Sequence, residues 1–272
     1  IARNLASFVK NINLISFYGF EKKYDLFLKQ SLKKNVKKYL FKPYADFKSI
    51  VKTRYIDRVS NYKLFGAYDV PSTEEFIYSK KIINNIKKIL LKTDLLIISD
   101  YGHGLLNDQL IKLINSVKTF KSLNVQVNSS SRGFSSLHKY KNIDLLLVNE
   151  NELRQELKNY KSDLDVLLKK LMKLYSFKNL TVTSGKVGAK LYTRTKKNSI
   201  INCPAFSNYT VDKIGAGDSM LTLMSFLIFS KIDKFFSLLV GSLAAAITVK
   251  GIGNKNIVDK ESLLRYIKFL FK

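Results

Sequence analysis

Short apolar runs alternate with helical patterns along most of the chain, and this alternation restricts the fold more than any other feature. Residues 95–99 form such a run and end in Asp100, and residues 144–148 form another that ends in Asn149. Strands that alternate with helices build a largely parallel sheet, so the sequence predicts an α/β fold. Because ligands bind beyond the carboxyl ends of parallel strands, we expect these polar residues to line one crevice.

The same patterns place the other elements. We expect strands at 12–17, 125–128 and 180–183, and helices at 24–32, 110–117 and 220–229. A capping box of Ser72 and Glu75 predicts the start of a helix that continues through Leu91. Two extended runs within 51–68, with a turn near Ser60, predict an appendage near residues 49–70. No repeat or linker divides the chain, so residues 1–272 are predicted to form a single domain.

A surplus of basic residues raises the question of a nucleic-acid partner. The chain carries 47 Lys and Arg against 21 Asp and Glu, a net charge of +26. The surplus is mostly lysine, it is spread along the whole sequence, and no nucleic-acid motif accompanies it. We therefore interpret it as a general lysine bias and expect no specific nucleic acid. The alternative is a polyanion-binding protein, which predicts steeply salt-dependent affinity.

Other features address location. Cys203 is the only cysteine, which excludes a disulfide within the chain and favours a reducing, cytoplasmic setting. The most apolar tract, residues 219–249, is interrupted by Lys231, Asp233 and Lys234, so no membrane span is expected. The sequence opens on Ile1 without a signal-peptide pattern, so we expect it to begin inside a longer chain.

The sharpest chemical signal is Asp212-Lys213-Ile214-Gly215-Ala216-Gly217-Asp218, which leads directly into an apolar stretch. Gly215 and Gly217 allow a ligand to approach the backbone closely, and a helix starting here would offer unpaired amides to an anion. Asp218 could deprotonate an attacking hydroxyl, as phosphoryl transfer requires. The alternative is an ordinary helix N-terminus with two turn glycines and a capping Asp.

This motif resembles the Asp-x-x-Gly-Ala-Gly-Asp signature of the ribokinase-like carbohydrate kinases, also called the phosphofructokinase B family. The family's Asn-x-x-Glu element is matched by Asn149 and Glu152. The resemblance implies a three-layer sandwich with a mainly parallel central sheet and a small β lid. It also implies ATP as phosphoryl donor, and Mg²⁺ held through water by Asn149 and Glu152. Asp218 would be the base, the amides of Gly215, Ala216 and Gly217 would stabilise charge, and Asp212 would border the substrate.

Two further elements resemble the family's nucleotide site. Thr183, Gly185 and Gly188 are similar to the strand and glycine turn beside the nucleotide. Ala245 and Gly251 are similar to the small-residue helix and turn that enclose the adenine. The resemblance therefore assigns these five residues to ATP binding.

Three segments resemble the heptose 7-phosphate kinases within this family. They are Ser-Asp-Tyr-Gly-His-Gly at 99–104, Ala-Arg-Asn-Leu-Ala-Ser at 2–7, and Lys-Thr-Arg at 52–54. The resemblance implies substrate contacts for Asn4, Lys52, Arg54 and Asp100. Arg can hold a phosphate through two parallel hydrogen bonds, whereas Lys acts as a point charge. The alternative is a basic, exposed strand in a chain that is basic throughout.

Several positions depart from that pattern. The family's glycine pair and sugar-binding asparagine would lie before Ile1, so we expect the first strand and part of the lid to be missing. His103 stands where the heptose kinases have lysine, and Asn128 replaces their aspartate, with Arg132 as the nearest basic residue.

The reaction expected from these features is phosphoryl transfer from ATP to a hydroxyl of a sugar or sugar phosphate. D-glycero-D-manno-heptose 7-phosphate, a lipopolysaccharide precursor, is the implied substrate. An inactive sugar-phosphate-binding or scaffolding module of the same fold is the alternative. A homodimer and a joined nucleotidyltransferase domain are expected partners.

Overall fold

The computed structural model describes residues 1–57, 59, 63–70, 76–126, 137–195, 199–207, 209–253 and 255–270. Its strands are β1 (Ile12–Phe17), β2 (Val36–Phe41), β3 (Val51–Ile56), β4 (Lys63–Asp69), β5 (Leu95–Asp100), β6 (Phe120–Val125), β7 (Leu145–Asn149), β8 (Asn179–Thr183), β9 (Ala189–Thr193) and β10 (Ser199–Cys203). Its helices are α1 (Ala2–Leu5), α2 (Lys22–Ser31), α3 (Lys80–Leu90), α4 (Asp108–Ser116), α5 (Glu150–Glu156), α6 (Leu164–Leu174), α7 (Ala216–Phe229), α8 (Lys234–Thr248) and α9 (Lys260–Leu270).

The six-stranded central sheet has the order β10-β9-β8-β7-β6-β5. Strands β5 to β8 are parallel, whereas β9 and β10 run antiparallel to their neighbours. Leu146 of β7 pairs with Leu123 of β6 and Leu180 of β8, and all three side chains are fully buried. Strands that are covered on both faces are apolar along their length, and this is why the central strands appear in the sequence as continuous apolar runs.

Helices cover the central sheet on both faces. On one face, Leu146 packs with residues of α3 to α6, such as Ile86 and Leu168. On the other face, Leu145 and Leu147 pack with residues of α7 and α8, such as Met224. Alternate residues of β7 therefore point into two cores, and the predicted three-layer α/β sandwich is confirmed.

Two smaller sheets complete the described fold. Strands β1 and β2 pair in parallel, and β3 and β4 form an antiparallel hairpin that we call the lid. In the lid, Lys52 pairs with Tyr68, and Arg54 lies opposite Gly66. The extended appendage expected near residues 49–70 is this hairpin, although Ser60 at its turn lies outside the described residues.

Two predicted elements needed correction. The strand expected at 125–128 lies earlier, at β6, because two polar residues disguised it. Lys121 is 1% exposed, with its ammonium bonded to the Ile114 carbonyl, and the buried Asn124 amide donates to the Leu147 carbonyl. Helix α3 begins only at Lys80, where the Ser79 hydroxyl accepts from the Ile82 amide. The capping box of residues 72 and 75 lies outside the described residues.

Within the described ranges, no helix is both long enough and apolar enough to cross a bilayer.

Candidate active site

The site begins at the N-terminus of α7, where the residue before the helix has a left-handed backbone conformation. Gly215 has φ 79°, a conformation that side chains resist. The α-helical hydrogen bonds begin with Ser219 donating to the Gly215 carbonyl, so the amides ahead of it have no partner within the helix. A Cβ on Gly217 would meet only Leu147 Cδ2, at 3.9 Å. Among the described residues, packing therefore leaves open space beside the backbone of Gly217.

Asp212 fixes the loop before this helix. One of its carboxylate oxygens accepts from the Ile214 amide at 3.1 Å, and the other accepts from the Gly253 amide at 3.0 Å. Its own amide donates to the Val249 carbonyl. The residue predicted to border the substrate thus ties the loop to the turn after α8, and its main contacts are with backbone.

Asp218 lies in the first turn of α7 and contacts the end of β5. The Tyr101 hydroxyl is 3.1 Å from both Asp218 carboxylate oxygens, to which it donates. Burial, followed by the charge of Asp218 and this hydrogen bond, raises the pKa of Tyr101 far above its ordinary value. Tyr101 therefore keeps its proton as a donor to the candidate base.

A cavity of about 470 Å³ lies beside this pair. Its walls come from β1, α2, the start of β3 and the loop after β5, and they include Ser16, Tyr18, Lys52, Asp100, Tyr101 and His103. The His103 ring stacks on Tyr101 with centroids 6.5 Å apart. Burial and the nearby Lys52 ammonium lower the pKa of His103, although Asp100 opposes the shift. Asn128 and Arg132 lie outside the described residues.

The lid brings basic groups to this cavity. The Lys52 ammonium lies 5.4 Å from the Tyr101 ring centroid and 5.7 Å from that of Tyr68. Burial, and then the neighbouring Arg54, lower the pKa of Lys52. Arg54 is two residues further on the same strand and therefore on the same face of β3. Its Nε is buried without a hydrogen-bond partner, and neither cation has a carboxylate partner among the described residues.

Asp100 borders the cavity, but its carboxylate is held by the protein. The side chain is 6% exposed, one oxygen accepts from the Gly102 amide at 2.9 Å, and the other accepts from the Tyr140 hydroxyl at 2.7 Å. Asp100 thus fixes the loop that carries Tyr101, and its contact with a substrate stays a prediction.

Asn4, the fourth residue expected to contact substrate, lies inside the protein. Its amide donates to Ser219 Oγ at 2.8 Å, and its carbonyl oxygen accepts from the Val258 amide at 3.1 Å. The residue is 7% exposed. Both ends of the side chain are therefore used to join α1 to α7 and to the segment before α9.

Asn149 and Glu152 form a capping box at the start of α5. The Asn149 side chain accepts from the Glu152 amide at 2.9 Å, and the Glu152 carboxylate accepts from the Asn149 amide at 2.8 Å. Burial raises the pKa of Glu152 to about 7, against the opposing effect of these hydrogen bonds. No group of three metal-ligating side chains occurs among the described residues. Burial disfavours the ionised form of this carboxylate, and a cation would stabilise it, which fits Mg²⁺ that keeps most of its waters.

The predicted nucleotide residues divide into two kinds. Gly185 lies two residues after Thr183, the end of β8, and has φ 57°. Among the described residues, no atom lies within 4 Å of where its Cβ would be. By contrast, a Cβ on Gly188 would lie 2.1 Å from the Cys203 carbonyl oxygen. A Cβ on Gly251 would lie 2.7 Å from the Asn256 side chain. Open space suits a ligand at Gly185, whereas packing explains the glycines at 188 and 251.

Ala245 lies in α8, where it is partly buried against the core that contains α7. Tyr101 is a functional candidate to which the sequence motifs assigned no role. The available signal was its position directly after Asp100 in the segment at 99–104.

Comparisons with known proteins agree with this architecture. The family profile for pfkB family carbohydrate kinases matches residues 1–260. The bifunctional protein HldE of Campylobacter fetus is 29% identical over 189 residues, which cover 68% of this chain and 40% of the relative. The bifunctional protein HldE of Aeromonas salmonicida is 24% identical over 219 residues, covering 80% and 44%. The chain thus spans less than half the length of these relatives.

Solved structures show the same fold at low identity. A ribokinase from Thermotoga maritima superposes with a TM-score of 0.76 at 15% identity, covering 98% of this chain and 85% of the other. Phosphofructokinase-2 from Escherichia coli gives 0.73 at 14% identity, covering 100% and 86%. Since the family profile spans nearly the whole sequence and the fold agrees, the chain belongs to the pfkB family of carbohydrate kinases.

Proposed function

We propose that the protein transfers the γ-phosphoryl group of ATP to a hydroxyl of a sugar phosphate, with D-glycero-D-manno-heptose 7-phosphate as the substrate. One observation carries the proposal: Asp218, at the N-terminus of α7, is hydrogen-bonded to Tyr101, which lines the cavity together with Lys52 of the lid. The names of the HldE relatives, which describe them as bifunctional, fit a sugar kinase joined to a second activity. That second activity, a nucleotidyltransferase, and a homodimer remain predictions.

In the proposed reaction, the sugar hydroxyl oxygen attacks the γ-phosphorus, and the bond from that phosphorus to the β,γ-bridging oxygen breaks. The hydroxyl proton passes to Asp218, and ADP leaves. The amides of Gly215, Ala216 and Gly217 would stabilise the charge on the transferred group. Asn149 and Glu152 would hold Mg²⁺ through water, and the metal would neutralise phosphate charge. Thr183 and Gly185 would lie beside the nucleotide.

The two lid cations support a phosphorylated substrate over a plain sugar. Neither makes an ion pair among the described residues, and the unpartnered Arg54 Nε is a donor that a phosphate oxygen could satisfy. Hydrogen bonds to charged groups contribute roughly 1.5 to 3 kcal/mol each. We therefore expect about tenfold or greater preference for the phosphorylated sugar for each such contact.

The test is transfer of labelled γ-phosphate from ATP to a panel of sugars and sugar phosphates. We expect Asp218→Asn to lower kcat by about 10² to 10⁴ while leaving ATP affinity nearly unchanged, because only the base is lost. Arg54→Ala should erase the preference for the phosphorylated sugar but spare slow turnover of the plain sugar. Full activity of Asp218→Asn would refute the kinase mechanism. Binding of the sugar phosphate without turnover by the unmodified protein would favour the scaffolding module.

A further inference from the structure

The Tyr101 hydroxyl makes a shared hydrogen bond to both oxygens of the candidate base. We propose that Tyr101 is a positioning residue: it fixes the orientation of the Asp218 carboxylate for proton abstraction. This inference rests on the proposed function, in which Asp218 is the base. Asn149, Glu152 and the phosphate-binding amides have no part in it.

Contacts on several sides hold Tyr101 in place. The preceding residue, Asp100, is bonded to the Gly102 amide and to the Tyr140 hydroxyl, which fixes the backbone on either side of Tyr101. The Lys52 ammonium lies over the ring, and the His103 ring stacks on it at an interplanar angle of 19°. The hydroxyl therefore reaches Asp218 from a fixed ring, and a catalytic group held in this way needs little reorganisation before reaction.

The chemistry of the contact matches such a role. The phenol O–H donates to an anionic acceptor, and such a hydrogen bond is stronger than one between neutral groups. An equal distance of 3.1 Å to both oxygens also restricts rotation of the carboxylate. The orienting group in this arrangement is a neutral phenol, so the negative charge remains on the carboxylate that must accept the proton.

The titratable groups around this pair come from several elements. They are the Lys52 ammonium on β3 and the His103 imidazole in the loop after β5. Both are present in every variant proposed below, so their effects cancel when the variants are compared.

Tyr101→Phe removes the donor and keeps the ring. We expect kcat to fall about tenfold, because a hydrogen bond to a charged group is worth a factor of ten or more and its loss lets the carboxylate rotate. The KM for ATP should stay within about twofold, since the change does not touch the phosphate-binding amides. A purely structural role for Tyr101 would lower the melting temperature and leave the kcat of the folded protein unchanged.

Tyr175→Phe is the matched control. Its hydroxyl donates to the Glu156 carboxylate, so it loses the same kind of bond, but between α5 and the end of α6. We expect an unchanged kcat from this variant. Replacing Tyr101 with 3-fluorotyrosine supplies a second measurement that keeps both the packing and the donor, so its kcat should stay close to that of the unmodified protein.

Two results would overturn the proposal. One is an unchanged kcat in Tyr101→Phe. The other is a higher kcat/KM for the sugar, which would mean that the phenol competes with the acceptor hydroxyl for Asp218. Asp218→Asn separates this inference from the proposed function. If Asp218→Asn retains activity, the function itself fails; if it is inactive while Tyr101→Phe behaves as the unmodified protein, only the positioning role fails.

Discussion

Gly217→Ala should make the protein more stable and less active. A Cβ at this position would make one ordinary contact, with Leu147 Cδ2 at 3.9 Å, and the residue is the second of α7. Replacing glycine by alanine in a helix stabilises by up to about 1 kcal/mol. For a chain of this size, that corresponds to a rise in Tm of about 2 °C or less.

The effect on turnover should have the opposite sign. The protein leaves space above Gly217, so the need for a bare backbone there comes from the ligand. A methyl group at this position would hold the transferred phosphoryl group away from the amides at the N-terminus of α7. Loss of one such donor costs about 10² to 10³ in kcat, and partial displacement should cost at least about tenfold. Gly217→Val should cost more, because its side chain is branched at Cβ.

The assay pairs thermal melting with γ-phosphate transfer on the same samples. Gly241→Ala is the control, since its Cβ would lie 2.5 Å from Met224 Cγ between α7 and α8. Overpacking should lower its stability by about 1 to 3 kcal/mol while the folded fraction keeps normal kcat and KM. If Gly217→Ala melts higher and turns over at the normal rate, the amides at this helix end do not contact the phosphoryl group. A lower Tm would show that the space inferred at Gly217 does not exist.

Three other expectations concern single residues. Burial raises the pKa of Glu152 from 4.5 to about 7, so between these two pH values the folded protein binds a proton that the unfolded chain has lost. The free energy of unfolding should therefore fall as the pH rises from 4.5 to about 7. Glu152→Gln should remove that slope in urea unfolding and raise the Mg²⁺ needed for activity. Gly188→Ala should lower the unfolding free energy by about 2 kcal/mol or more, measured by urea unfolding, because its Cβ would overlap the Cys203 carbonyl. Asn4→Ala should destabilise by about 1 to 3 kcal/mol in thermal melts without changing the KM for sugar.

Local pattern was enough to predict most of the scaffold. Strands β5, β7 and β8 each appear in the sequence as a short apolar run that ends in a polar residue. The start of α7 appears as a glycine motif followed by an apolar stretch. Both kinds of signal lie within a few neighbouring residues. Strand β6 escaped because Lys121 and Asn124 break its apolar run. Their polar atoms are satisfied by the carbonyls of Ile114 and Leu147, and the sequence contains no sign of those partners.

The substrate contacts were harder to predict because a polar residue beside a crevice has two uses. Asp100 is bonded to Tyr140, forty residues further on, and Asp212 is bonded to Gly253, forty-one residues further on. Each carboxylate stands where a ligand-binding group would stand, but its oxygens are engaged by the protein. An aspartate in the sequence indicates a hydrogen-bond acceptor at that position. Only the tertiary contacts decide whether the donor belongs to the protein or to the substrate.

The lysine surplus shows the same difficulty for charge. In the sequence, Lys52 is one of 47 basic residues, and nothing local separates it from those on exposed helices. In the structure, its ammonium lies between the rings of Tyr68 and Tyr101, and burial lowers its pKa. A cation removed from water without a carboxylate partner is stabilised when an anion binds beside it. Lys52 is therefore distinguished by what surrounds it, and the same ring that it contacts connects the lid to the candidate base.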